Sequence, residues 1–551
     1  MDRPVSGPLV VQSDRTLLLD VGHPDADECR RELAVFAELE SSPEHVHTYR
    51  VGDLGIWNAR AAGHEGPEMV EVLERWSRFP VPHPVITSVL DTAARFGVVQ
   101  LVDDPRHGLV LRSDDEAVLA ELLAEPSVAE LLGPRVDGAT VVAPAERRGA
   151  LKQALMAAGW PPEDRAALDD GAPIDVAASP SLELRDYQRA AVDGWAPSGS
   201  GVVVLPCGAG KTIVAIAAMV ELGRRTLILT TGNVAVEQWR RELRRFTDLG
   251  DDDIGEYSGR DKRLAPVTIA TYQIMATRRS GRFLHLPVVR DHDWGLIVYD
   301  EVHLLPAGVV RMTADLQSRR RLGLTATLVR EDGREADVFS LIGPKRFDAP
   351  WRDLELQGWI APATCTEVRV PLTEDQRATY AAAASDRRPL AAAAAAGKVD
   401  VVRRLVADHA GEQLLVIGTY VASLVALAEQ LGAPVLTGDT PTAERQRRLD
   451  ELRSGELEVL VVSSVGNTSL DLPEVSVLVQ VSGTFGSRQE EAQRLGRILR
   501  PKREGRTASF YSLVARDTVE QDHAPRRQRF LTEQGYEYRI VDAADVLAGT
   551  T

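Results

Sequence analysis

From about residue 181 onward one pattern occurs twice: short β-branched runs alternate with stretches able to form helices. The first series reads GVVVLP, RTLILTT, VTIATY, WGLIVYDE and RRLGLTAT. The second reads QLLVIGTY, PVLTG, EVLVVSSV, VSVLVQVS and ASFYSLVA. Runs that are apolar throughout suit strands covered on both faces, and the intervening helices supply the covers. The alternation predicts parallel sheets with crossover helices, hence two α/β lobes in tandem. At 551 residues the chain exceeds one hydrophobic core, and two to four domains are expected.

Ahead of the lobes, residues 1–170 mix strand-like runs such as VVQSDRTLLLDV with amphipathic stretches such as EMVEVLERWSRF. The turn-rich DDGAPIDVAASPSLEL at 169–184 reads as a linker. Between the two series, residues 371–410 are alanine-rich and helix-prone. The expected organisation is an acidic mixed α/β accessory region over 1–170 and a linker over 171–184. A first lobe covers 185–352, a connector with a helical insert 353–410, and a second lobe 411–551.

Charge is distributed unevenly. The formal net charge is −17, but residues 1–180 hold 31 acidic against 16 basic residues, and the remainder 50 against 48. The acidity belongs to the N-terminal third, which leaves the lobes free to present local basic surfaces to nucleic acid. Cys29, Cys207 and Cys365 lie far apart, with neither metal-site spacing nor a disulfide framework, as in a reducing cytosol. Three thiols cannot ligate an iron–sulfur cluster that needs four. No stretch approaches about 18 uninterrupted apolar residues, so no membrane span is expected. The opening MDRPVSGPLVVQSDR lacks a basic region followed by an apolar core, so no secretory signal is expected either. The expected location is the cytoplasm.

Residues 201–216, GVVVLPCGAGKTIVAI, carry the first chemistry. A strand enters a turn containing Gly208 and Gly210, and Lys211-Thr212 then open a helix. A polyphosphate needs those parts: inward N–H groups, a helix N-terminus, a lysine for β/γ oxygens and a hydroxyl for Mg²⁺. The full phosphate-loop pattern has glycine six places before the lysine, where Leu205 stands, so an incidental strand-to-helix turn competes with the cradle reading. WGLIVYDEVH at 294–303 decides between them. A buried-type strand ends in Asp300-Glu301, where Asp300 would hold Mg²⁺ and Glu301 would activate the attacking water. His303 completes a DExH box and is either structural or a γ-phosphate sensor.

LPCGAGKT, DEVH, LGLTATLVRED (322–332) and EAQRLGRILR (491–500), in that order, resemble the motif series of superfamily 2 helicases, and specifically of the XPB family. The resemblance runs from about residue 182 to 541. Arg330-Glu331-Asp332, similar to the family's RED motif, and the tail RRQRFLTEQGYEYRIV are absent from generic helicases. The N-terminal third is similar to that of bacterial XPB proteins.

The resemblance implies two tandem RecA-like lobes with a helical thumb insert, ATP with Mg²⁺ as the cofactors, and DNA as the partner. Arg185, Gln188 (as the adenine reader), Pro206, Cys207, Gly208, Ala209, Gly210, Lys211, Thr212 and Gln493 would contact ATP. Thr212 and Asp300 would hold the metal, with Lys211, Glu301, Arg497 and Arg500 catalytic. Arg497 and Arg500 lie three apart and so share a helix face. His303, Thr325, Thr327 and Asp471 would couple hydrolysis to movement. Asn467 stands where eukaryotic members have aspartate. Thr231, Thr271, Arg330, Glu331, Asp332 and Thr468 would handle DNA. With aromatics at 5% and no base-stacking motif, contact with single-stranded and fork or duplex DNA is expected to be backbone-mediated and sequence-independent. The implied activity is a 3′-to-5′ DNA helicase in repair. A duplex translocase without net unwinding, or an ATP-gated scaffold recruiting repair partners through the acidic region, are the alternatives.

Overall fold

The computed structural model describes residues 7–41, 45–166, 170–206, 208–280, 282–302, 305, 318, 320–326, 335–349, 354–355, 357, 359, 363–463, 475–482, 508–522, 524, 531 and 538–549. The chain divides into two compact units, one reaching to Asp348 and the other running from Ala349 onward, with Pro206–Ala209 counted in the second. Among the described residues no helix is long and apolar enough to cross a membrane.

The first unit begins with two small α/β modules. In one, strands Leu9–Val11, Thr16–Asp20, Val46–Arg50 and Glu38–Ser41 pair antiparallel in that order. Helices Ala26–Leu33, Asp53–Ala61, Gly66–Trp76 and His83–Ala94 bury Leu33, Ile56, Leu73 and Val85 against Leu17 and Leu19. In the other, Thr140–Val142, Gly108–Ser113 and Val99–Asp104 are antiparallel, and Glu163–Asp164 adds a parallel edge.

A seven-stranded sheet follows, in the order Ile254–Tyr257, Val267–Thr271, Thr226–Thr230, Leu296–Asp300, Arg320–Thr325, Ser200–Val204 and Lys345–Asp348. Every pairing in it is parallel. The central strands are buried along almost their whole length, so their continuous apolar runs are what a sheet covered on both faces demands. Parallel register brings the C-terminal ends to one edge. Thr230 lies opposite Thr271, Asp300 opposite Leu324, and Thr325 opposite Val204. Loops leaving that edge are where an α/β sheet places its ligand chemistry.

Both N-terminal modules are fastened to this lobe near residues 335–346. Trp57, Met156 and Phe339 share one buried cluster. Gln153 Nε2 donates to Asp337 Oδ1 at 2.7 Å, and the Lys345 amide donates to Asn58 Oδ1 at 3.2 Å. The linker is fixed too, by bridges from Pro173 to Arg224 and from Ala178 to Thr247.

The second unit holds another all-parallel sheet of seven strands: Val435–Leu436, Val459–Ser463, Leu414–Gly418, Val477–Gln480, Ala508–Ala515, Ala363–Val370 and Tyr538–Asp542. Two parts of the segment read as connector belong to this lobe. Ala363–Val370 is an inner strand whose alternating polar residues disguise it. Its Glu367 is 1% exposed and accepts from Arg369 Nε at 3.2 Å and the Tyr538 hydroxyl at 2.9 Å. Helix Gly397–Asp408 buries Val401, Val402 and Leu405 in the same core as Val368, Val416 and Val461. Glu374–Ala382 and Arg388–Ala393 remain as the helical insert.

Candidate active site

The strand Ser200–Val204 delivers the chain to a turn in which Gly208 (φ 82°) and Gly210 (φ 84°) are both left-handed, a conformation glycine adopts without steric cost. A Cβ on Gly210 would lie 2.3 Å from Gln188 Nε2, so only glycine lets that amide approach the turn so closely. Helix Lys211–Leu222 starts immediately afterwards with no side chain capping its first turn. The partial positive charge of a helix N-terminus suits an anion. Lys211 is buried, its Nζ 3.4 Å from the Leu205 carbonyl oxygen and 3.7 Å from Glu301 Oε1. Thr212 follows, half-buried, on the same turn. Gln188 is 1% exposed, and its Oε1 accepts from the Arg185 amide at 3.0 Å. The Arg185 guanidinium donates to the Tyr187 hydroxyl at 3.0 Å.

Asp300 ends the strand Leu296–Asp300, which Arg320–Thr325 separates from Ser200–Val204. Its Oδ2 accepts from Trp239 Nε1 at 2.9 Å and Thr230 Oγ1 at 3.2 Å, and the Tyr272 hydroxyl donates to its main-chain oxygen at 2.7 Å. Among the described residues no hydrogen bond falls on Oδ1. Burial pushes the Asp300 carboxyl up to about 6, the Glu301 charge adds to the rise, and Trp239, Lys211 and Thr230 oppose it. In extended backbone, successive side chains face opposite ways. Glu301 departs from that, with φ at 51°, and its carboxylate comes to lie beside Lys211. A left-handed non-glycine residue costs roughly 1–2 kcal/mol, a strain that clusters at functional sites.

Three further expected residues are described. Thr325 is fully buried, and its carbonyl accepts from the Leu205 amide at 2.9 Å, tying the two strand ends together. Thr231 is exposed just beyond its strand. Thr271 is buried and caps the short helix Tyr272–Ala276 by accepting from the Ile274 amide at 3.4 Å. Pro206 and Ala209 are buried in the loop, whereas Cys207, His303, Thr327, Arg330, Glu331, Asp332, Thr468, Asp471, Gln493, Arg497 and Arg500 lie outside the described residues. The sequence reading missed Trp239 and Tyr272 as partners of Asp300. Trp239 shares the buried face of its helix with Val236, Leu243 and Phe246, a spacing that reads simply as core.

The donor set fits a magnesium-bound polyphosphate. The glycine turn leads directly into Lys211 and a helix N-terminus, and among the described residues the Asp300 carboxylate at the same sheet edge accepts hydrogen bonds through one oxygen only. Thr212 and Asp300 are the residues that would hold the ion, with the phosphates supplying the remaining oxygens.

Three family profiles match the chain. One described as "ERCC3/RAD25/XPB C-terminal helicase" covers residues 354–549, which includes the strand and helix assigned above to the second lobe. "Type III restriction enzyme, res subunit" covers 181–330, and "Helicase conserved C-terminal domain" covers 9–137. Among curated proteins, the "DNA 3'-5' helicase XPB" of Kineococcus radiotolerans is 58% identical over 545 residues, 98% of each chain. The protein of the same description from Mycobacterium tuberculosis is 56% identical over 543 residues, covering 98% of this chain and 99% of that one. The "General transcription and DNA repair factor IIH helicase/translocase subunit XPB" of Antonospora locustae is 34% identical over 568 residues, covering 98% and 82%. With a phosphate loop and an acidic pair at one edge of a parallel sheet, and such identity over nearly the full length of its relatives, the chain belongs to the XPB helicase family.

Proposed function

We propose that the chain is an ATP-dependent DNA helicase that moves 3′ to 5′ along single-stranded DNA, separates duplex and serves DNA repair, acting in the cytoplasm at the nucleoid. The observation that carries this reading is Lys211 Nζ standing 3.7 Å from Glu301 Oε1, at the edge where the glycine turn and Asp300 also lie.

Each residue then has a task. Gly208 and Gly210 clear the space for the polyphosphate, and Lys211 and the first-turn N–H groups neutralise it. Gln188 lies beside Gly210 and accepts from the Arg185 amide, and the two would read the base. Thr212 and Asp300 hold Mg²⁺, which when bound neutralises the charge building on the phosphate oxygens. Glu301 Oε1 accepts the proton of the attacking water. Motif resemblance adds Pro206, Cys207, Ala209 and Gln493 to the nucleotide contacts, and Arg497 and Arg500 to the charge stabilisation. His303, Thr325, Thr327 and Asp471 couple the cycle to the strand, which Thr231, Thr271, Arg330, Glu331, Asp332 and Thr468 handle through its backbone. Strand stacking costs about 1.4 kcal/mol per step, well within one hydrolysed ATP.

A relative named "helicase/translocase" favours one second reading, duplex translocation without net unwinding. Steady-state ATPase without nucleic acid and with single-stranded DNA, duplex DNA or RNA, beside Lys211→Ala, tests the motor. Stimulation by DNA that vanishes in the variant supports it, and indifference to every nucleic acid overturns it. Strand displacement from a forked duplex then separates unwinding from translocation.

A further inference from the structure

The two segments that lead to Thr231 and Thr271 also hold Asp300. Thr230, adjacent to Thr231, donates its hydroxyl to Asp300 Oδ2 at 3.2 Å. Trp239, on the helix Asn233–Phe246 that follows Thr231, donates its indole N–H to the same oxygen at 2.9 Å. Tyr272, adjacent to Thr271, donates its hydroxyl to the Asp300 main-chain oxygen at 2.7 Å. The strand Thr226–Thr230 lies between Val267–Thr271 and Leu296–Asp300, so the three elements form one hydrogen-bonded block. Thr230, Trp239, Thr271 and Tyr272 are each at most 4% exposed, too enclosed to meet a nucleic acid through their side chains, whereas Thr231 is exposed. A shift of Thr231 carried into this close-packed interior has no free volume in which to dissipate.

We propose that Thr230, Trp239 and Tyr272 are positioning residues that pass occupancy of the strand site at Thr231 to the Asp300 carboxylate. Thr230 and Trp239 hold Oδ2 and so set the direction of Oδ1, while Tyr272 fixes the main chain behind it. A DNA strand pressing on Thr231 then selects the carboxylate orientation that suits the metal-bound nucleotide. Coupling of this kind is reciprocal, so nucleotide must alter DNA affinity by the same factor by which DNA alters nucleotide affinity. The inference rests on the helicase reading, and in particular on Thr231 contacting DNA.

The test uses the full chain and four variants. Trp239→Phe, Tyr272→Phe and Thr230→Val each remove one donor while keeping most of the shape, and Thr230→Ser keeps the hydroxyl. The first readout is the affinity for a fluorescent oligothymidylate, with and without Mg²⁺ and a non-hydrolysable ATP analogue. The second is the stimulation of ATPase by that oligonucleotide. In the three donor-removing variants the affinity ratio and the stimulation each fall by about 5-fold or more, the lower end of ordinary allosteric coupling. In Thr230→Ser both stay at the wild-type value. A merely structural role would lower both ligand affinities and leave their ratio alone. Folded variants with the wild-type ratio and stimulation overturn the inference while the helicase reading stands. A wild type that DNA does not stimulate overturns the helicase reading, and this inference with it. Should Trp239→Phe not fold, Tyr272→Phe and Thr230→Val decide.

Discussion

Lys211 Nζ lies 3.7 Å from Glu301 Oε1, so the cation that would meet the terminal phosphates and the carboxylate that would deprotonate water share one small volume. Replacing Glu301 by glutamine removes the base but keeps the shape and takes away one of the anions near Lys211. ATP hydrolysis is expected to fall by about 10²–10⁴-fold, the usual weight of a general base. Nucleotide affinity should hold or rise. Single-turnover hydrolysis beside equilibrium binding of a fluorescent ATP analogue reads both. Loss of binding together with turnover would assign Glu301 a holding role instead.

Gly210 joins two constraints at one residue. Its φ of 84° disfavours any side chain, and a Cβ would meet Gln188 Nε2 at 2.3 Å. Gly210→Ala therefore costs roughly 1–2 kcal/mol of backbone strain and displaces Gln188 from its bond to the Arg185 amide. The expected outcome is a weakened affinity for ATP with a smaller change for inorganic triphosphate, because the displaced group belongs to the base-reading side. Competition binding of the two ligands checks it, and equal losses would show that only the phosphate turn has been damaged.

How far the sequence spoke varies with the kind of residue. The inner strands around GVVVLP, RTLILTT and WGLIVYDE were legible because burial on both faces leaves an uninterrupted apolar run. The edge strands Ile254–Tyr257, Lys345–Asp348 and Tyr538–Asp542 escaped because they are short or carry polar residues. Ala363–Val370 escaped because a buried Glu367 with two donors mimics a surface position. At the site, Lys211 and Asp300-Glu301 announce themselves through glycine turns and paired acids. Trp239 does not, because an indole that packs and donates one hydrogen bond has the spacing of any core residue. The left-handed φ of Glu301 leaves no trace in sequence at all.

His47 gives the first module a dependence on acid. It is 4% exposed, and burial, with the Arg30 charge adding to it, lowers its pKa from 6.5 to about 4. The unfolded chain therefore binds a proton between these values and the folded chain does not, so stability falls as pH drops from 6.5 towards 4 and is intact above 6.5. The loss reaches about 3 kcal/mol at most, at roughly 1.4 kcal/mol per unit. Urea denaturation of the full chain at pH 7.5 and 4.5, followed through the first module by hydrogen exchange, measures it. His47→Leu should flatten that dependence, and an unchanged slope would assign the acid sensitivity to other groups.

Lys398 supplies the sharpest test of where the second lobe begins. Its Nζ is 2.7 and 3.0 Å from the two Glu520 carboxylate oxygens and 2.7 Å from the Val481 carbonyl oxygen. Lys398 is 3% exposed and Glu520 7%. The Ala515 amide also donates to Glu520, at 2.9 Å, so the helix Gly397–Asp408 is clamped to two strand ends of the sheet. Lys398→Met leaves a buried carboxylate without its cation and should destabilise the second unit by about 3–5 kcal/mol. Adding Glu520→Leu should return most of that, because the desolvated charge disappears as well. Calorimetry of the full chain, with the unfolding of the second unit followed by hydrogen exchange, gives the shift. If the helix were part of a separable thumb, the single substitution would leave that transition in place; a large loss recovered in the double variant ties residues 397–408 to the lobe's own core.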